Sequence, residues 1–213
     1  MAESRAVKYL SGGLTLEGML QLPEQTPAPG IVVCHPHPMY GGDMHNNVVD
    51  AICETAVAEG IAALRFNFRG AGGSEGRYDN GIGEQDDVRA ALAYLRDRPE
   101  VDGARVALSG YSFGAAVALQ AADDRLNAFI AVSLPTSMPL RDVRLACPAL
   151  FVSGDEDQYS DPGELTCLVR ALGLQAELKL LPGLGHFWFG VERDLQEIVS
   201  AFLRAHLATV ATP

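Results

Sequence analysis

The stretch that most constrains the fold is Arg105-Val106-Ala107-Leu108-Ser109-Gly110-Tyr111-Ser112-Phe113-Gly114-Ala115-Ala116. An apolar run ends in Gly110-Tyr111-Ser112-Phe113-Gly114, and small residues suited to a helix follow. The pattern predicts a strand, a sharp turn and a helix, with Ser112 on the turn. Gly110 and Gly114 keep the turn open, because bulky side chains at those positions collide with neighbouring chain. Such a turn pushes the Ser112 hydroxyl out at the sheet edge. The helix that starts there aims unpaired backbone N–H groups at the same point, where negative charge on oxygen is stabilised. The same five residues also suit a purely structural Gly-rich turn, so the rest of the chain must decide.

Around this stretch, strand and helix patterns alternate. Val7–Leu10 and Leu14–Leu22, joined across Ser11-Gly12-Gly13, read as a β-hairpin. Ile31–Cys34 is a short continuous apolar run, as expected of a strand buried on both faces. Asn46 caps a helix running to about Glu59, and Ile61–Phe66 is a second buried strand. Glu84–Arg98 reads as a helix, followed by the Val106 strand and a helix to about Ala122. Strands at Ala128–Leu134, Ala149–Val152 and Ala176–Leu181 follow, with helices over Pro162–Leu172 and Val191–Leu207; Thr209–Pro213 reads as frayed. This order predicts an α/β fold: a mostly parallel sheet covered on both faces, with the antiparallel hairpin at one edge. A length of 213 residues fits one domain over 1–213, and no linker or repeat divides it.

The charge balance, 16 − 27 = −11, opposes nucleic acid and anionic membrane surfaces, so neither is an expected partner. No apolar run approaches the roughly 20 residues that cross a bilayer. Met1-Ala2-Glu3-Ser4-Arg5 is followed by no signal-peptide core. Cys34, Cys53, Cys147 and Cys167 lack metal or redox spacing, and Cys34 and Cys147 read as buried free thiols. These features predict a cytoplasmic protein; the expected partner is a small-molecule substrate, and monomer and homodimer both stay open.

Function in open α/β sheets collects at the carboxyl ends of the strands. After Val106–Ser109 comes Ser112. After Ala149–Val152 comes Ser153-Gly154-Asp155-Glu156-Asp157, and after Ala176–Leu181 comes Pro182-Gly183-Leu184-Gly185-His186. A serine hydroxyl needs a base at neutral pH. A neutral imidazole can take its proton, and a carboxylate behind the imidazole fixes its tautomer. Asp155 and Asp157 compete for that role; Asp157 lies deeper in its loop and reaches back toward the base, whereas Asp155 suits a local turn bond. Asp161 before Pro162 reads as a helix cap, and Asp86 and Asp87 as a solvated first turn. Arg69–Ser74 lacks the lysine of a phosphate loop and reads as a structural turn beside the site. His35 and His37 could share a strand face as a metal pair, but no third ligand has convincing spacing. No metal and no cofactor is expected. Tyr40, Tyr111, Met138, Phe187 and Trp188 are candidates to line an apolar substrate groove.

These residues resemble the α/β-hydrolase superfamily over nearly the whole chain, most closely the small bacterial serine hydrolases related to the dienelactone-hydrolase branch. The likeness rests on Cys34–Gly42, Asn67–Ser74, Gly110–Gly114, Gly154–Asp157 and Gly185-His186. It implies an eight-stranded-type sheet without a cap domain, since only Pro135–Ala146 separates two strands where relatives insert a cap. It also implies a Ser112–His186–Asp157 triad, with the acid three residues after Gly154. An oxyanion hole is implied at the backbone N–H of Phe113 and of a residue in the His35–Gly42 loop. Pro36 and Pro38 have no N–H, which leaves His37 or Met39; alignment with the family's His-Gly-x-x-Gly loop favours Met39. Dienelactone hydrolases carry a cysteine nucleophile where this chain has Ser112. The expected activity is therefore hydrolysis of a carboxylic ester through an acyl-enzyme. Thioester hydrolysis, or a non-catalytic binding protein on the same fold, are the other readings.

Overall fold

The computed structural model describes residues 3–140 and 143–207, so the tail Thr209–Pro213 lies outside the described residues. Strands β1 (Glu3–Ser11) and β2 (Leu14–Leu22) form the predicted hairpin. Gly12 and Gly13, at φ +54° and +91°, make the two-residue turn whose twist matches the strands. Strands β3 (Ala28–Cys34), β4 (Ala62–Phe66), β5 (Val101–Tyr111), β6 (Ala128–Val132), β7 (Ala149–Gly154) and β8 (Ala176–Leu181) follow. They alternate with helices α1 (Asn47–Ala58), α2 (Gly83–Arg96), α3 (Phe113–Ala121), α4 (Pro162–Leu172) and α5 (Glu192–His206). One sheet results, in the order β1-β2-β4-β3-β5-β6-β7-β8. Pairs β1–β2 and β2–β4 are antiparallel and the rest parallel. The α/β-hydrolase fold without a cap is therefore present. Strand β5 starts at Val101 rather than Val106, because Val101 pairs with Ala28 across a shift in register.

The central strands are buried on both faces, and alternation along β3 distributes its side chains between two cores. Ile31 and Val33 face α1 and α5, packing with Val49, Ile52, Leu195 and Val199. Val32 and Cys34 face α2, α3 and α4, with Val88, Leu92, Val117 and Leu165. All seven residues of β3 are buried, which is why its sequence shows no polar alternation. Asn46 caps α1 through its side chain and Asp161 caps α4.

The turn beside the site is held by an ion pair that sequence reading missed. Asp87 is fully buried, not solvated; only its neighbour Asp86 is exposed. The Asp87 carboxylate accepts hydrogen bonds from Arg69 Nε at 3.0 Å, Arg69 Nη2 at 2.8 Å and the Arg69 amide at 3.0 Å. Ser11 Oγ donates to it at 2.7 Å, tying in the hairpin. Removing the cation leaves a buried, unpaired carboxylate. Arg69→Ala should therefore lose about 3–5 kcal/mol of stability in urea unfolding.

Candidate active site

Ser112 sits between β5 and α3 at φ +53°, ψ −124°, in backbone that L-residues resist at a cost of about 1–3 kcal/mol. Its own amide donates to the Val132 carbonyl at 2.9 Å, which fixes the turn to β6. The flanking glycines are needed for close approach. A Cβ on Gly110 would strike the Gly114 carbonyl, and a Cβ on Gly114 would strike the carbonyl oxygens of Cys34 and His35 at the end of β3. The N-terminus of α3 thereby lies against the loop that follows β3.

Two loops converge on this serine. His186 Nε2 lies 2.9 Å from Ser112 Oγ, and His186 Nδ1 lies 2.9 Å from both carboxylate oxygens of Asp157. With Nδ1–H given to the carboxylate, Nε2 is left to accept from the serine hydroxyl. The imidazole is buried, stacked on Tyr111 and met edge-on by Tyr159 and Phe187. Asp157 also accepts from the amides of Tyr159 at 2.9 Å and Ser160 at 3.1 Å, and from Ser153 Oγ at 3.2 Å. Burial pushes its carboxyl up; hydrogen bonds from His186 and Tyr159, with the attraction of His186, outweigh this and hold it below the usual carboxylate range. Asp155 does something else: its exposed carboxylate accepts the Gly183 amide at 2.7 Å and so pins the loop that carries His186. A Cβ on Gly154 would strike the Leu184 carbonyl, so that glycine lets the two loops meet.

The loop after β3 contributes backbone. His35 Nδ1 lies 2.6 Å from the Pro36 carbonyl, and His35 Nε2 accepts the Phe68 amide at 3.0 Å. Both ring nitrogens are engaged, so His35 acts as a strut. Burial lowers its pKa to about 4. His37 Nδ1 accepts the Met39 amide at 3.2 Å. The Met39 N–H is therefore committed within its own loop, whereas the His37 N–H makes no hydrogen bond among the described residues.

Two groove candidates change role. Trp188 is 0% exposed and donates its indole N–H to Ser133 Oγ, so it lines no groove. Tyr111 is buried, and its phenol donates to the His186 carbonyl at 3.0 Å, bracing that loop from behind. Along 186–189, His186 and Trp188 turn in while Phe187 and Phe189 turn out, at 59% and 74% exposure. Sequence reading saw the aromatic cluster but not this alternation. Tyr40 stands 87% exposed beside His37. Met138 is half-buried and lines a cleft of ≈ 350 Å³ with Ile82, Val117 and Leu140. Ser133, Ser153 and Tyr159 were missed. A usable signal existed for the two serines, since each lies at the carboxyl end of a strand.

Comparison with known proteins fits this geometry. The dienelactone hydrolase family model matches residues 16–210, and the chain belongs to that family. It is a hydrolase by descent. It is 33% identical to XC6422 of Xanthomonas campestris, described as an α/β serine hydrolase without a lid, with a TM-score of 0.88 over 99% of this chain and 97% of that one. The uncharacterized protein RP471 of Rickettsia prowazekii is 32% identical over 88% of this chain and 84% of its own. A shorter match, 41% identical over 38% of this chain and 28% of the other, is to the thiohydrolase apmlB of Arthrinium phaeospermum.

The glycine contacts give a direct test. At Gly114 the obstacles are backbone carbonyls, which cannot rotate away. Gly114→Ala should cost at least about 1–3 kcal/mol by overpacking, read as a lowered thermal midpoint, although alanine is the better helix former.

Proposed function

We propose that this hydrolase cleaves carboxylic esters by acyl transfer through Ser112, His186 and Asp157. The observation that carries the reading is the unbroken row from Ser112 Oγ through the His186 ring to the Asp157 carboxylate. Ser112 Oγ attacks the ester carbonyl as His186 Nε2 takes its proton. The carbonyl π electrons move to oxygen, and collapse of the tetrahedral adduct expels the alcohol, which leaves with the proton from His186. Water repeats the sequence on the acyl-enzyme, releasing the acid and restoring Ser112. Asp157 stays ionised, holding the Nε2 acceptor tautomer and stabilising the imidazolium.

The oxyanion is met by the N–H of Phe113, at the start of α3, and by the N–H of His37. His37 replaces Met39 in this role because the Met39 amide is already donated to the His37 ring. Each donor is worth roughly 10²–10³ in kcat. The rim supports an uncharged, apolar ester: Met39, Tyr40, Tyr159, Phe187 and Phe189 are all exposed large side chains on loops at this end of the sheet. The thiohydrolase similarity supports a thioester as the second substrate class.

The deciding experiment is a panel of esters of increasing acyl length beside matched thioesters, with Ser112→Ala as control. Ser112→Ala should lower kcat by roughly 10⁶. Near-normal turnover in that variant would contradict the reading and favour a protein that only binds ligands. The oxyanion assignment has its own test, since His37 has φ −60°, which suits proline. His37→Ala keeps the amide and His37→Pro removes it, so the second should be slower than the first by roughly 10²–10³. Equal rates would return the role to another donor.

A further inference from the structure

Strands β3, β6 and β7 are buried along their whole length, whereas β8 is half-exposed at the end of the sheet. Among the described residues β8 has one neighbouring strand, β7. At the two ends of that pairing, the amides of Ala149 and Asp155 donate to the Gln175 and Leu181 carbonyls at 2.8 Å and 3.0 Å. Backbone groups alternate sides along a strand, so Glu177 and Lys179 also point theirs at β7. The amides of Leu178 and Leu180 and the carbonyls of Ala176, Leu178 and Leu180 therefore face outward. The Ala176 amide is already taken by the Gly173 carbonyl at 3.2 Å. An edge of this kind is a template for another strand.

The two faces of this edge differ. Ala176 and Leu178 pack toward the core that contains α4, and alternation puts Leu180, 39% exposed, on the same face. Glu177 and Lys179 are exposed on the other face, where they line a groove of ≈ 490 Å³ with Ile198 and Phe202 of α5. Neither charge makes an ion pair or a side-chain hydrogen bond among the described residues. At the opposite edge of the sheet, by contrast, Arg5 of β1 is already paired with Glu3 and Glu100.

We propose that β8 is the interface of a homodimer, in which two copies pair their β8 strands antiparallel about a twofold axis at Leu178 and set Glu177 of each copy opposite the partner's Lys179. The outward-facing backbone groups must oppose one another, which leaves Glu177, Leu178 and Lys179 as the central positions for the axis. An axis at Glu177 would set that carboxylate against its own copy, and an axis at Lys179 would set two cations together. An axis at Leu178 opposes unlike charges instead, and the symmetry supplies the pair twice. Glu177 and the partner's Lys179 then form a non-hydrogen-bonded pair, in which facing side chains come closest. The Leu178 amide donates to the carbonyl of the partner's Leu178, and the Leu180 amide to that of the partner's Ala176. On the other face of the joint, Leu178 meets the partner's Leu178 and Ala176 meets the partner's Leu180, so that face is apolar. Two chains of net charge −11 repel at a distance, so association needs local complementarity such as this edge provides.

Sedimentation velocity on the full chain tests the proposal. The wild-type protein should be a dimer at about 10 μM. Both charged side chains are exposed, so exchanging them leaves the core untouched. Glu177→Lys should raise the dimer Kd by at least about 10-fold, and Lys179→Glu should do the same, because each opposes like charges twice. The variant carrying both exchanges restores unlike pairs and should return Kd to within about 3-fold of wild type. Hydrogen exchange locates the joint: the Leu178 and Leu180 amides should become protected as concentration rises through Kd. A wild-type chain that stays monomeric at about 100 μM would overturn the proposal. So would single variants that dimerise as wild type does, a double variant no tighter than the singles, or a dimer whose Leu178 and Leu180 amides stay unprotected.

Discussion

The structure depends on one backbone conformation that the chain resists. Ser112 is held at φ +53° by forces that come from elsewhere: the ladder bond to Val132, the start of α3, and the pressure of α3 against the end of β3. The contact at Gly114 leaves no slack. Backbone meets backbone there, so even a methyl group has no room. Without that approach, α3 would not start against the loop that follows β3. Strain at one residue is thus supported by packing over three strands.

The same device recurs around the sheet edge. Gly154 lets the loop of Asp157 touch the loop of His186, backbone against the Leu184 carbonyl. Asp155 then fastens the two loops through the Gly183 amide, and Tyr111 braces His186 through its carbonyl. These bonds are local in space and distant in sequence. They hold a side-chain row of three residues to hydrogen-bond distance without any cap above it. The rim is left exposed and apolar.

Much of this was legible in the sequence. The alternation of strand and helix patterns pointed to a mostly parallel sheet, because central strands buried on both faces read as continuous apolar runs. Ser112, Asp157 and His186 could be singled out because each follows a strand and sits in a Gly-containing turn, and the structure brings the three side chains to hydrogen-bond distance. What stayed hidden depended on contacts across many residues. Asp87 looked like a solvated helix start, yet it pairs with Arg69 and Ser11, far away in the chain. Trp188 looked like a groove wall, yet the alternation after His186 turns it inward to Ser133. What sets Met39 apart from His37 is one ring nitrogen, which accepts the Met39 amide, a detail that no motif encodes.

The central claim is that the His186 ring, held by Asp157, activates Ser112. It is tested most directly by intact-mass and peptide mass spectrometry after reaction with a fluorophosphonate. The account predicts one adduct, on Ser112, formed rapidly by the native protein and slower by about 10²–10⁴ after His186→Ala. A folded protein that takes no adduct, or one labelled on a residue other than Ser112, would contradict it.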